Sequence, residues 1–442
     1  MSKIRTRRWQ GSVAIVVALL MVGSVLLTGC GQSTATNTSA ATQTAAQRGY
    51  ILIGYPVPVT GNYAVMGESA QWVADQALQA INKDGGIFIK SLNKKLPVKY
   101  DMKDTQSSPT IAAQVATEMI TKDNVDLLVA AQTPDIVNPV SAIGERYKVP
   151  VLGFNAPIEP WMSGGPYHWS FDVAMPIADT VGEIDQEFID LSPKTGKVVG
   201  LLFPNDPDGV GASHMMDNDK TLTGAGIKIV DPGRFPDDTN DFTSLINTFK
   251  QNKVEMITGT LPTNTFATFW RQAKQQGYYP AFVDVGKAVD YPSGVTALGG
   301  TLANYVSASI TWSPDWPFKS SLTGQTAQQL GDAYTQATSK PPTAALGFYE
   351  AGWEVVNDVL TRAQDLDPNT IRDAIIATNL NTVLAPVKFN AEQWSRTPVL
   401  QAQWVYQGAG GGSFPWKWVA FYADPNFPQI PATAKLVVPI PH

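Results

Sequence analysis

Cysteine is nearly missing: Cys30 stands alone in 442 residues, so no internal disulfide can staple the fold. Histidine is almost as scarce, and His168, His214 and His442 are too dispersed for metal-ligand spacing. No G-x-S-x-G, P-loop or H-E-x-x-H string occurs, which leaves no nucleophile-base constellation and no phosphate cradle. The chain is therefore expected not to be an enzyme, and to need no cofactor and no metal. Beyond residue 30 there is no run of about 18 apolar residues, so no membrane-spanning helix is expected in the body. A basic surplus is lacking too. The net charge is −6, and it becomes −10 without residues 1–29, which carry four of the 32 basic residues and no acid. Such a surface repels nucleic acid phosphates and anionic lipid, so neither is expected as a partner.

What is present begins at the amino terminus. Lys3, Arg5, Arg7 and Arg8 precede an apolar stretch, Val13 to Leu27, that is too short to span a bilayer and reads as an export signal. The tetrad Leu27-Thr28-Gly29-Cys30 resembles the lipobox of bacterial lipoproteins, which implies removal of residues 1–29 and lipidation of Cys30. Two acyl chains anchor stably, because each buried CH₂ contributes ~0.8 kcal/mol. Residues 30–48, rich in Thr, Ala, Ser and Gln, cannot bury enough surface to order themselves and read as a disordered tether. The body is then expected on the outer face of the cell membrane, held by its lipid.

Along the body, apolar runs alternate with helical periodicity. Strands are predicted over 50–56, 98–104, 125–130 and 150–153, with helices over 70–82, 110–123 and 136–147 between them. A second series follows, with helices over 176–191, 209–223, 242–251 and 263–276 and strands over 198–203, 227–230, 255–259 and 281–285. Repeated βα units imply parallel sheets covered by helices. Two such series make two lobes. The fold class is α/β: two Rossmann-like lobes with parallel sheets. Gly408 to Gly412 reads as a hairpin turn.

The order and spacing of several strings carry a family resemblance. IGYPVPVTGNYAVMGESAQWVADQALQAINKDGGI, VKYDMKDTQSSPTIAAQVATEMI and VDLLVAAQTPDIVNPVSAIGERYKVPVLGFNA come first, then VVGLLFPNDPDGVG, DDTNDFTSLINTFK, FWRQAKQQG and APVKFN. From about residue 50 onward the chain resembles the leucine/isoleucine/valine-binding-protein family, the type I periplasmic solute-binding proteins of ABC importers. The resemblance implies three hinge crossings, near Phe171, Tyr305 and Ala385 to Val387, with lobe 1 formed by 49–170 and 306–386 and lobe 2 by 171–305 and 387–442. It also implies a monomer that closes on a small solute and presents it to ABC permease and ATPase subunits. A sensing receptor for a signalling partner is the alternative the same fold allows; gene neighbours would discriminate.

Site residues follow from matching positions. Tyr63 and Met66 lie in the T-G-x-x-A-x-x-G turn that walls the family's cleft. Gln132 and Thr133 follow the VDLLVA strand, with Thr133 as N-cap and Pro134 at the first helical position, leaving amides that favour an anion or serving structure alone. Asn155 and Ala156 occupy the next loop, where Pro157 replaces a carboxylate-binding Thr and offers no amide hydrogen. Asp208 and Thr265 stand where the family has amine-binding Tyr and Glu, with Asp206 and Asn264 beside them. Asp206 and Asp208 either receive an amine or cap a turn. The carboxylates of Asp206, Asp208, Asp237 and Asp238 offer the donors for a metal or for acid and base work, but suit strand-end turns better. Trp161, Trp312, Trp316 and Tyr349 either border the cleft or pack in the core. With three anchors altered, the expected solute is a carboxylate or amide with an apolar or aromatic body, not a simple branched-chain amino acid.

Overall fold

The computed structural model describes residues 45–217, 219–408 and 414–441. The export signal, Cys30 and most of the expected tether lie outside these residues. The tether does not extend to residue 48: Ala45–Arg48 is a helical turn, and the Arg48 guanidinium bonds to Asp126 and, at 2.7 Å, to the Asn124 carbonyl. The Arg48 contacts together with buried Ala45 dock this short segment.

Two sheets organise the chain. A six-stranded sheet runs in the order Trp394–Arg396, Ser170–Ala174, Val151–Phe154, Leu127–Ala131, Ile51–Val57, Val98–Asp104. All its pairings are parallel. Ile51–Val57 is buried along its whole length, as an apolar run in a sheet covered on both faces must be. Helix Ala70–Asn82 turns Val73, Ala74, Ala77 and Ile81 onto one side of that sheet and packs beside helix Ala344–Ala363. Helix Pro134–Tyr147 covers the other side, with Pro at its first position.

The seven-stranded sheet runs Trp416–Ala420, Leu400–Tyr406, Ser307–Ile310, Phe282–Gly286, Met256–Thr260, Val198–Leu202, Lys228–Val230. It is not wholly parallel. Leu400–Tyr406 pairs antiparallel with both Ser307–Ile310 and Trp416–Ala420, the latter through a hairpin. The turn of that hairpin, 409–413, lies outside the described residues. The helix predicted over 209–223 is two helices, Pro207–Asp217 and Lys220–Gly224. Asp219 starts the second, its carboxylate accepting from the amides of Thr221 and Leu222 at 2.6 and 3.1 Å.

The strand pairing moves the expected crossings toward the carboxyl terminus. Ser170–Ala174 and Trp394–Arg396 belong to the first sheet and Ser307–Ile310 to the second, so the chain changes sheets after Ala174, Ile310 and Arg396. Sequence boundaries at 171, 306 and 387 cut before these short strands, whose few residues carry too little alternation to be read.

Candidate functional site

Residues that follow strand ends meet in one cavity: Thr133 after Leu127–Ala131, Asn155 after Val151–Phe154, Phe203 after Val198–Leu202 and Lys287 after Phe282–Gly286. Open α/β sheets place ligands beyond the carboxyl ends of their strands. Gln132, Thr133, Asn155 and Lys287 adopt φ of 72°, 64°, 63° and 62°. Such conformations cost a non-glycine residue about 1–3 kcal/mol and persist only where the surroundings impose them. Here the Gln132 amide donates to the Phe154 carbonyl at 2.8 Å, Thr133 to Asn155 at 3.1 Å and Asn155 to Val173 at 3.0 Å.

Lys287 is a buried cation. Its Nζ lies 2.5 Å from Asp206 Oδ2, 2.6 Å from Asp208 Oδ2 and 5.6 Å from the centre of the Tyr63 ring. Burial works to strip its proton, but Asp206 and Asp208 outweigh burial and hold its pKa well above the usual value. Burial also pushes Asp208 up to about 7, against the pull of Lys287. Tyr63 Oη lies 2.8 Å from Asp135 Oδ2 and 2.8 Å from Asp237 Oδ2. Burial, then the nearby Asp206, pushes Asp237 up to about 6, and burial raises Asp135.

These contacts join the lobes. Tyr63 and Asp135 come from the first lobe and Asp237 from the second. Thr133 Oγ1 donates across the cleft to Asp208 Oδ2 at 3.5 Å, and the Tyr291 hydroxyl donates to Gln132 Oε1 at 3.1 Å. Carboxylate oxygens of Asp135, Asp206 and Asp237 lie within 4.8 Å of one another, a spacing a metal ion could use. The Lys287 ammonium already answers Asp206, and the Tyr63 hydroxyl lies between the other two, so the cluster closes on itself.

From this cluster a cavity of about 110 Å³ reaches into the second lobe beside helices Ile177–Leu191 and Pro207–Asp217. Met66, Pro157 and Ala344 line it from the first lobe; Ile177, Val181, Ile184, Phe203, Ala212 and Met216 give it an apolar side from the second. Its polar side carries Thr180, Thr258, Thr260, Ser309, Thr311, Asp284 and Asp290. Burial, then Asp290, pushes Asp284 up to about 8. Burial pushes Asp290 up to about 7, although its Oδ2 accepts from the Lys287 amide at 2.9 Å.

Against known proteins, residues 51–412 match the family model described as periplasmic binding protein. The chain belongs to that family. Leu/Ile/Val-binding protein homolog 8 of Brucella melitensis biotype 1 is 22% identical over 375 residues, 80% of this chain and 88% of that one. The leucine-binding protein LivK of Thermotoga maritima MSB8 shares the fold with a TM-score of 0.69 at 19% identity, over 85% of this chain and 99% of that one. LivJ of Streptococcus pneumoniae, solved with isoleucine, gives 0.68 at 18% identity over 84% and 99%. A solute-binding protein of an ABC transporter from Rhodopseudomonas palustris BisB5, solved with 3,4-dihydroxybenzoic acid, gives 0.65 at 17% over 85% and 99%. This is a leucine/isoleucine/valine-binding-protein-like member of the type I periplasmic binding proteins, an extracytoplasmic family of solute binders rather than enzymes. Among the described residues no helix is long and apolar enough to cross a membrane.

Within this periplasmic binding protein, Met66, Thr133, Asn155 and Asp208 line the cavity. Tyr63, Gln132 and Asp206 stand in the cross-cleft network, and Thr265 Oγ1 donates to the Asp237 carbonyl. Two expected residues fall elsewhere. Ala156 packs in the core cluster with Trp161, and Asn264 is exposed, its carbonyl taken by Thr268 Oγ1 at 3.0 Å. Thr133 is an N-cap by position only: its side chain makes no capping bond, its amide serves Asn155, and Asp135 already puts a negative charge in the first turn. The anion preference of that helix end is thus met from within the chain.

Of the two readings left open for Trp161, Trp312, Trp316 and Tyr349, the structure gives core packing. Trp161 stacks on Tyr167 at 4.5 Å, Trp312 Nε1 donates to Val383, and the Tyr349 hydroxyl donates to the Met66 carbonyl at 3.0 Å. Phe203 and Tyr291 line the cavity instead. Lys287, Asp284 and Asp290 went unrecognised in the string FVDVGKAVDY. The available signal was three charges crowded into an apolar strand end.

Proposed function

We propose that this protein is the extracytoplasmic solute-binding lipoprotein of an ABC importer, anchored through Cys30, which captures a small solute between its lobes and delivers it unchanged to a permease. The observation that carries the reading is the cavity lined from both lobes, by Met66 and Asn155 on one side and Asp208 and Asp290 on the other. A solute touching both stabilises the closed arrangement by its differential affinity. Met66, Thr133, Asn155 and Asp208 are proposed as ligand contacts, with Tyr63, Gln132, Asp206 and Thr265 supporting closure.

The apolar side suits an apolar or aromatic body. Of the heads expected from sequence, the amide fits this lining better than a bare carboxylate, because Lys287 is committed to Asp206 and Asp208 and the remaining charged groups are acids. A thermal-shift screen of amino acids, amides, aromatic carboxylates and short peptides tests the reading. A binder at 100 times its Kd adds about 2.7 kcal/mol of stability. Absence of any binder, or turnover of one, would overturn it; micromolar binding of leucine, isoleucine or valine would overturn the exclusion of branched-chain amino acids. Loss of lipid labelling in Cys30→Ala tests the anchor.

A further inference from the structure

We infer that the cavity receives a solute bearing a positively charged nitrogen, which docks against the carboxylates of Asp284 and Asp290. The inference rests on the reading of this cavity as the solute site and names the chemistry of the solute's head.

Asp284 is 1% exposed and lines the cavity, yet its Oδ2 has no hydrogen-bond partner; Asp290 lines the same wall and its Oδ1 has none. An enclosed carboxylate oxygen without a donor is a costly arrangement that native proteins seldom keep without a use. Lys287, the one cation among the described residues lining the cavity, is spent on Asp206 and Asp208. The two acids therefore stand at the cavity wall with oxygens that no protein group answers.

The surroundings add further enclosed acids, which burial keeps protonated. Asp284 sits on the face of the sheet turned toward helix Ile177–Leu191, and from that helix Glu183 and Glu187 approach it. Both oxygens of Glu187 are enclosed and unpartnered, and so is Ser307 Oγ beside Asp284 in the ladder. An entering ammonium or amidinium would give Asp284 and Asp290 charge-assisted hydrogen bonds and relieve their mutual repulsion. The apolar side, with Val181, Ile184, Phe203 and Met216, would hold its hydrocarbon part.

Isothermal titration of the full-length chain in detergent tests this with matched probes: isoamylamine and phenethylamine, then the amides and acids of the same skeletons. Amines should bind, and more tightly as pH rises from about 6 to about 8.5, because Asp284 and Asp290, with pKa about 8 and about 7, must lose protons to receive a cation. Binding near neutral pH should release protons, seen as heats that change with buffer. Asp284→Asn should weaken amines roughly 30-fold or more and amides far less. Asp290→Asn provides the same contrast if Asp284→Asn does not fold. Tighter binding at low pH, equal amine affinity in Asp284→Asn, or no amine binding at all would overturn the inference. In that last case, binding of the amides or acids leaves the proposed function standing, and silence from every class removes both.

Discussion

On the side of the seven-stranded sheet that faces helices Thr243–Gln251 and Thr263–Gln275, Leu202, Ile257, Val283, Val285, Ala308 and Trp404 form an apolar layer. The other side begins the same way, with Val199, Leu201, Met256 and Phe282, then turns to Thr258, Asp284, Ser307, Ser309 and Gln401 beneath helix Ile177–Leu191. Both sides are buried, so water exposure does not explain the difference. The apolar side follows the alternation that holds any sheet to its helices. The polar side breaks it where the cavity enters, and a break in local consistency is expected at functional positions.

That contrast can be broken from either side. The largest effect is expected from Lys287→Met at the cavity end of strand Phe282–Gly286. Removing this cation strands Asp206 and Asp208 in the interior and should cost about 3–5 kcal/mol near pH 8, with a smaller loss near pH 5, by urea unfolding. An equal loss at both pH values would mean the pair adds no charge-dependent stability. Ile257→Ala on the dry side should cost about 2–5 kcal/mol and show no pH dependence, since only packing is lost.

Between these lies a pH effect to which the polar side contributes alongside other buried acids such as Glu354. Burial raises Asp284 to about 8 and Glu183 to about 9, above the ~4 of unfolded carboxyls. The folded chain then binds more protons than the unfolded one, so their stabilisation is complete below about pH 4 and is lost as pH climbs through about 8–9. Melting temperature should fall between about pH 6 and about pH 9, and the double variant Asp284→Asn, Glu183→Gln should make that fall measurably shallower. A wild-type slope in the double variant would assign the trend to other groups. Tyr63→Phe, which removes the phenol from between Asp135 and Asp237, should cost about 1–3 kcal/mol and enlarge the solute-free protein in solution scattering. Smallest of all, Asn264→Ala should change stability by less than about 0.5 kcal/mol and leave solute affinity intact, because the residue is exposed.

The long elements were legible because their alternation is strong: predicted strand 98–104 and helix 70–82 coincide with Val98–Asp104 and Ala70–Asn82. Ser307–Ile310 and Trp394–Arg396 were not, being four and three residues long, and the hinge positions moved with them. At the site, Thr133, Asn155 and Asp208 could be placed because the strings around them resemble the family's cleft loops. Lys287 and Asp284 could not, because one sequence shows charge but not burial. Only the folded sheet reveals that Asp284 points inward and that Lys287 reaches Asp206 and Asp208 some 80 positions earlier.

A phenol has a single hydrogen to give. Sitting equally close to two carboxyl groups on opposite halves of the molecule, Tyr63 can supply only one of them, and the other must arrive carrying its own. Holding both against one hydroxyl therefore keeps a hydrogen ion on one of them more readily than in the unfolded chain, in line with the raised pKa of each.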